Sequence, residues 1–175
     1  MLRFFFKSKF SSIIVLEYLF NFYPIECWYD QYDNMALDSR SEGSGMNILI
    51  TGGAGFIGSH LSRYLIGKGH KITILDNFSN SSPSNIRDML LNRQIRLVKG
   101  DVRDAKLINE ITDGIDIIFH LAAQIHIDKS ILEPKYTFDV NVLGTLNILE
   151  AGLKRDFEKI IFASTSEVYG TALKD

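Results

Sequence analysis

Thr51-Gly52-Gly53-Ala54-Gly55-Phe56-Ile57-Gly58 stands between a branched apolar run, Asn47–Thr51, and a helical pattern over 56–67. The spacing satisfies G-x-G-x-x-G through Gly53, Gly55 and Gly58, and G-x-x-G-x-x-G through Gly52, Gly55 and Gly58. Glycines are needed because a Cβ would block the tight turn and keep a diphosphate away from the backbone. The N–H groups and positive dipole end of the following helix then face the phosphates. A glycine turn alone also serves as a plain strand-to-helix connection, so its neighbours carry the reading.

Asp76 ends the second strand pattern, 18 residues past Gly58. A carboxylate there accepts hydrogen bonds from both ribose hydroxyls and repels a 2′-phosphate, which favours NAD over NADP. The plainer alternative is a cap for the loop Asn77-Phe78-Ser79-Asn80-Ser81. The third strand ends in Gly100-Asp101-Val102, placed for an adenine edge, although Asp101 taken alone suits a helix cap for the segment beginning at Asp104.

Working outward, short runs rich in Ile, Leu and Val occur at Asn47–Thr51, Lys71–Asp76, Ile95–Lys99, Asp116–Leu121 and Lys159–Ser164. Such runs suit parallel strands buried on both faces. Helical patterns lie between them at 56–67, 83–92, 104–113 and 134–155, the last with apolar spacing at Phe138, Val142, Leu146, Leu149 and Leu153. The alternation predicts an α/β Rossmann-type doubly wound parallel sheet, with five strands in this chain.

The chain has 175 residues and a net charge of −2, enough for one domain and too little positive charge to hold nucleic acid. No apolar run approaches membrane-spanning length. A single cysteine, Cys27, excludes a disulfide scaffold and suits a reducing, cytoplasmic compartment. The four histidines, His60, His70, His120 and His126, show no clustered ligand spacing, so no metal is expected. Residues 1–45 differ in kind: they hold 11 of the 20 aromatics and end in the linker Ser39-Arg40-Ser41-Glu42-Gly43-Ser44-Gly45. They read as a non-core extension, and a start placed too early in the gene would produce the pattern. The stretch from Ser11 to Tyr23 superficially resembles a signal peptide, but Glu17 interrupts it and no small-residue cleavage site follows. Residues 46–175 read as the NAD-binding domain.

Six motifs in order then make the sequence resemble the NAD-dependent epimerase/dehydratase family, extended short-chain dehydrogenases acting on nucleotide sugars. They are Thr51 to Leu61, Asp76-Asn77-Phe78-Ser79, Gly100-Asp101-Val102-Arg103-Asp104, His120-Leu121-Ala122-Ala123-Gln124, Asn141-Val142-Leu143-Gly144-Thr145, and Ala163-Ser164-Thr165-Ser166-Glu167-Val168-Tyr169-Gly170. The resemblance implies that Gly52, Gly55, Phe56, Ile57 and Gly58 lie against the diphosphate, with Asp76, Asn77, Ser79, Asn80 and Ser81 around the adenosine ribose. It implies that Asp101 and Val102 meet adenine, that Leu121, Ala122 and Ala123 line the cofactor, and that Asn141 lies near the nicotinamide ribose. The plainer alternative for Asn141 is a polar residue inside a helix that bonds a neighbouring backbone carbonyl.

Family members oxidise a sugar carbon with bound NAD, alter the ketone and usually return the hydride. The hydroxyl residue beside the reacting oxygen corresponds to Thr165, while Ser166 and Glu167 match additional acid/base positions of some dehydratases and decarboxylases. The family's base is a tyrosine followed four positions later by lysine, expected some tens of residues past Gly170; Tyr169 is followed there by Leu173. Tyr64 and Lys68 have the spacing but sit on the helix after the glycine turn, and read as a decoy. The chain is therefore expected to represent the cofactor half, truncated before the remaining strands and the substrate domain, able to bind NAD weakly and to turn over nothing. Its last strand is expected to be an unprotected edge. Gln124 and Asn141 to Thr145 favour a UDP-hexose 4-epimerase, whereas His126 to Ser130 and the Thr-Ser-Glu triplet favour a 4,6-dehydratase or a UDP-glucuronate decarboxylase. A non-catalytic NAD-binding module is the reading from another class. A nucleotide sugar is the implied substrate, and a homodimer through the 134–155 helix the implied assembly.

Overall fold

The computed structural model describes residues 3–4, 12–16, 45–155 and 157–164. In chain order the elements are β1 (Arg3–Phe4), β2 (Ser12–Leu16), β3 (Asn47–Thr51), α1 (Phe56–Gly67) and β4 (Lys71–Asp76). A 3-10 turn, Pro83–Ile86, leads into α2 (Arg87–Leu91), followed by β5 (Ile95–Lys99), α3 (Ala105–Ile111) and β6 (Ile117–His120). Then come α4 (Ile127–Leu132), α5 (Pro134–Phe138), a π turn over Asp139–Leu143, α6 (Gly144–Lys154) and β7 (Lys159–Ala163).

Five of these strands form an all-parallel sheet in the order β7-β6-β3-β4-β5. The chain moves one way from β3 through β4 to β5, then returns to the other side of β3 with β6. That reversal leaves a crevice outside the carboxyl ends of β3 and β6, the place where open α/β sheets collect ligands. The register puts Thr51 directly opposite His120 at the mouth of the crevice.

Alternation along the strands supplies two cores. Ile48, Ile50, Ile72, Ile74, Ile117 and Phe119 face α1 and α2, where Leu61, Leu65 and Met89 cover them. Leu49, Leu75, Ile118 and Ile160 face α3 and α6, where Ile108, Ile111, Ile148 and Ala151 close the other side. Each fully buried Ile or Leu contributes roughly 1.5–3 kcal/mol, so strands apolar on both faces are stable only between helix layers. Among the described residues no helix is long and apolar enough to cross a membrane.

Three features depart from the sequence reading. The 134–155 helix is interrupted by the π turn, and its buried face is Val140, Gly144, Ile148, Ala151 and Gly152. Of the apolar stripe, Phe138, Val142, Leu146 and Leu153 face outward, away from the sheet, while Leu149 is half-buried and packs against the inner core. Between Leu121 and residue 134, where the sequence reading placed no helical pattern, lies α4. Finally, β7 is not a bare edge: β2 runs parallel along it from Ser12 opposite Lys159 to Leu16 opposite Ala163, and β1 pairs antiparallel with β2. Two short pieces of residues 1–45 thus extend the sheet, since an edge row of N–H and C=O groups readily accepts another strand.

Candidate cofactor site

The glycine turn is built by close approach. Gly52 has φ +69, and a Cβ there would lie 2.9 Å from the Ala122 nitrogen on the facing wall of the crevice. A Cβ at Gly58 would come within 2.5 Å of the Gly52 carbonyl oxygen. The turn closes through Gly52 N–H donating to the Leu75 carbonyl (2.8 Å) and Gly55 N–H donating to the Gly52 carbonyl (3.0 Å). Gly55 then caps α1 with no side-chain hydrogen bond, and no acidic residue occupies the first turn. The positive end of the helix is left to an anion from outside. Phe56 is exposed and packs against His60, with ring centroids 4.8 Å apart and planes tilted by 50°; Ile57 is half-buried and Gly58 buried.

Asp76 joins this turn to the next loop. Its buried carboxylate accepts from Ala54 N–H at 2.9 Å through one oxygen, and from Phe78 N–H and the Ser81 hydroxyl, both at 2.8 Å, through the other. The loop-capping alternative is therefore realised, and the same carboxylate sits against the glycine turn. Phe78 carries φ +59, a conformation costly for a bulky side chain, and the Asp76 bond to its N–H holds it there. Asn77 accepts from Ser79 N–H at 2.9 Å and donates to Asp101 at 2.9 Å, so the loops after β4 and β5 are tied together. Asn80 is exposed and donates to the Gln124 side-chain oxygen at 3.0 Å.

Asp101 does not cap a helix. Its two oxygens accept a fork of Arg103 Nε (2.9 Å) and Nη2 (2.8 Å), and this pairing pulls its pKa down to about 2. Asp104 caps α3 instead, accepting from the Lys106 and Leu107 N–H groups. Arg103 also lies over the Tyr136 ring at 4.8 Å, which packs α5 against this loop. Val102 is buried, with its side chain against Gly144 and its carbonyl accepting from Asn147.

On the facing wall, Leu121 and Ala122 are half-buried and Ala123 exposed. Asn141 bonds backbone, but not that of its own helix: its oxygen accepts from Gln124 N–H at 2.7 Å and its amide donates to the Gln124 carbonyl at 3.0 Å. The π turn aims this side chain at the loop after β6, and π turns of this kind recur at functional sites.

Sequence reasoning missed a buried relay beneath the crevice. The Thr145 hydroxyl spends its proton on the Asn141 carbonyl (2.7 Å), so toward His120 Nε2 (3.1 Å) it accepts. His120 therefore carries its proton on Nε2, and Nδ1 accepts from the Thr51 hydroxyl at 2.7 Å. Thr51 in turn accepts from Ala122 N–H at 3.2 Å. Burial drives the His120 pKa down to about 4, which keeps the ring neutral as the relay requires. The one signal available beforehand was that Thr51 and His120 end two strands of a single sheet.

Thr165, Ser166 and Glu167 lie outside the described residues. Tyr64 and Lys68 form a cation–π contact on α1, with the ammonium 5.2 Å from the ring centroid. Among the described residues no three His, Cys, Asp or Glu side chains cluster to hold a metal.

Residues 49–175 match the GDP-mannose 4,6 dehydratase family. A UDP-N-acetyl-alpha-D-glucosaminuronate decarboxylase of Bacillus cytotoxicus is 42% identical over 122 residues, covering 70% of this chain and 37% of that protein. A UDP-glucose 4-epimerase of Halalkalibacterium halodurans is 36% identical over 127 residues, covering 71% of this chain and 36% of that protein. Among solved structures, a dTDP-glucose 4,6-dehydratase of Streptomyces venezuelae with NAD and TYD bound aligns with TM-score 0.69 and 34% identity, over 74% of this chain and 42% of that one. The chain thus spans little more than a third of the length of these curated relatives.

Proposed function

Because the chain belongs to the GDP-mannose 4,6 dehydratase family, among epimerases, dehydratases and decarboxylases of nucleotide sugars, we propose that residues 46–175 are the NAD-binding part of a UDP-hexose 4-epimerase. The observation that carries this reading is the cradle at the β3/β6 crevice. Backbone packed so closely that no Cβ fits at Gly52 or Gly58, an uncapped helix end and the Asp76 carboxylate bonded to Ala54 suit a dinucleotide diphosphate and its adenosine ribose. When bound, NAD supplies the acceptor and donor of hydride for a transient oxidation of the sugar. Gly52, Gly55, Phe56, Ile57 and Gly58 would hold the diphosphate; Asp76, Asn77, Ser79, Asn80 and Ser81 the ribose; Asp101 and Val102 the adenine; Leu121, Ala122, Ala123 and Asn141 the nicotinamide side. Thr165, Ser166 and Glu167, just beyond β7, are assigned to the sugar end. A homodimer through the outer face of α5 and α6 and a cytoplasmic site of action, suited to the lone Cys27, complete the reading.

The Thr-Ser-Glu triplet and the decarboxylase and dehydratase relatives favour a second reading within the family, a 4,6-dehydratase or decarboxylase. A non-catalytic NAD-binding module, the reading from another class, has no specific observation in its favour.

Calorimetry tests the proposal. The chain is expected to bind NAD at least tenfold more tightly than NADP, and Asp76→Ala is expected to weaken NAD binding by tenfold or more. Equal affinities for the two dinucleotides, or an Asp76→Ala variant that binds unchanged, would remove the basis for the assignment.

A further inference from the structure

The two neighbours of β7 hold it unequally. β6 pairs with it from Lys159 to Phe162, where His120 closes the ladder. β2 runs one residue further, with Leu16 opposite Ala163. Among the described residues, the end of β7 from which the chain passes to Ser164 is therefore paired by β2 alone. That end also touches the buried relay: the Phe162 ring stacks on His120, with centroids 5.6 Å apart and planes within 23°.

The place that β2 occupies is a defined one. Counted in chain order from β3, the five core strands stand as 3-2-1-4-5, and the doubly wound order continues with a parallel sixth strand beside the fifth. β2 lies in that place and runs in that direction, although it comes from ahead of the first core strand. Residues 17–46 join it to β3, far more chain than the dozen or so residues that a parallel crossover needs. β1 then covers the outer side of β2 through Arg3 and Phe4, so the outermost strand is only two residues long. Very short edge strands are a common device against unwanted strand addition.

We propose that Ser12–Leu16 is an internal strap, supplied by the same chain, that stands in for a sixth strand. It closes the β7 edge to other polypeptides and holds the end of β7 that leads to Ser164. The strap joins Ser12 to Lys159, 147 positions apart, and its role is independent of whether the chain binds NAD.

Hydrogen exchange followed by nuclear magnetic resonance of the full chain tests the hold on β7. Successive N–H groups of a strand point to opposite neighbours, so Ile13→Pro with Ile14→Pro removes one donor on each side. The Phe162 and Ala163 amides are expected to exchange at least tenfold faster in this variant, those of Ile48 and Ile74 within twofold of wild type, and the His120 ring signals to shift. Unchanged exchange at Ala163 would overturn the proposal. Cross-linking decides the occupant without prolines. Neighbouring strands lie about 4.8 Å apart, within disulfide reach. In a Cys27→Ser background, Leu16→Cys with Ala163→Cys is expected to form a disulfide within one chain, whereas Leu16→Cys with Phe162→Cys, one step out of register and on the opposite face, is not. A disulfide that joins two chains, or equal cross-linking of the two pairs, would refute a strap built from the chain's own segment.

Discussion

His120 shows how one side chain can join two walls of a site without touching solvent. Its ring is neutral because burial opposes the charged form, and its tautomer is dictated by Thr145, which has only one proton to give and gives it to Asn141. A neutral imidazole then passes direction from Thr51, at the root of the glycine turn, to the helix that carries Asn141. The pH consequence follows from linkage. Unfolded, the ring takes a proton near 6.5; folded, only near 4, so between those values the unfolded chain binds more protons and stability falls as pH falls. The expected slope from this residue is on the order of 1 kcal/mol per pH unit over that window, flattening below it. Asp101 acts in the same direction lower down: its pKa, held near 2 by Arg103, means that its contribution is lost as pH drops from about 4. Urea unfolding at a series of pH values checks both, and His120→Gln is expected to flatten the upper window. An unchanged profile in that variant would mean the ring titrates normally.

At the scale of the element, the strand-turn-helix unit of β3 and α1 is where sequence and structure agree most closely. The pattern over 56–67 and the observed helix coincide, because glycine, the apolar period and the lack of a capping side chain are all local signals. Gly58→Ala is expected to cost about 1–3 kcal/mol, since the new methyl group meets backbone at 2.5 and 2.6 Å, which cannot step aside. Gly67→Ala, at the other end of the same helix, meets nothing within 4 Å and is expected to be neutral or to stabilise by about 0.5–1 kcal/mol. Chemical denaturation of the two variants separates a steric requirement from simple helix propensity; equal effects would contradict the cradle. The 134–155 helix is the opposite case. Its apolar spacing was plain in the sequence, but two stripes compete there, and periodicity cannot tell which one the sheet covers. The extra residue of the π turn offsets the faces further and brings Asn141 to Gln124, a contact 17 residues apart that no local pattern announces.

For the whole molecule, the notable surface is the outward stripe of α5 and α6. Phe138, Val142, Leu146 and Leu153 are each about half exposed on one helical face, a concentration that soluble surfaces usually cover. Under the homodimer proposal, Leu146→Glu is expected to convert a dimer to a monomer in sedimentation equilibrium, with no change in thermal midpoint beyond that due to dissociation. A wild type that is already monomeric, or a variant that remains dimeric, would rule out this face. The other sheet boundary has a different solution: β2 supplies β7 with a parallel neighbour, a pairing across more than 140 residues of chain.

The sequence by itself determined the parallel sheet, the glycine turn and the acidic residue that follows it, since each is written in spacing shorter than a helix or in composition forced by burial on two faces. Only the tertiary structure decided that Asp76 binds the turn as well as its own loop, that His120 is a wired neutral relay, and that Gln124 bridges the loops after β4 and β6 through Asn80. Those contacts join residues 22 to 71 positions apart, and polar side chains meet at such distances only after strand order and register have brought their ends together.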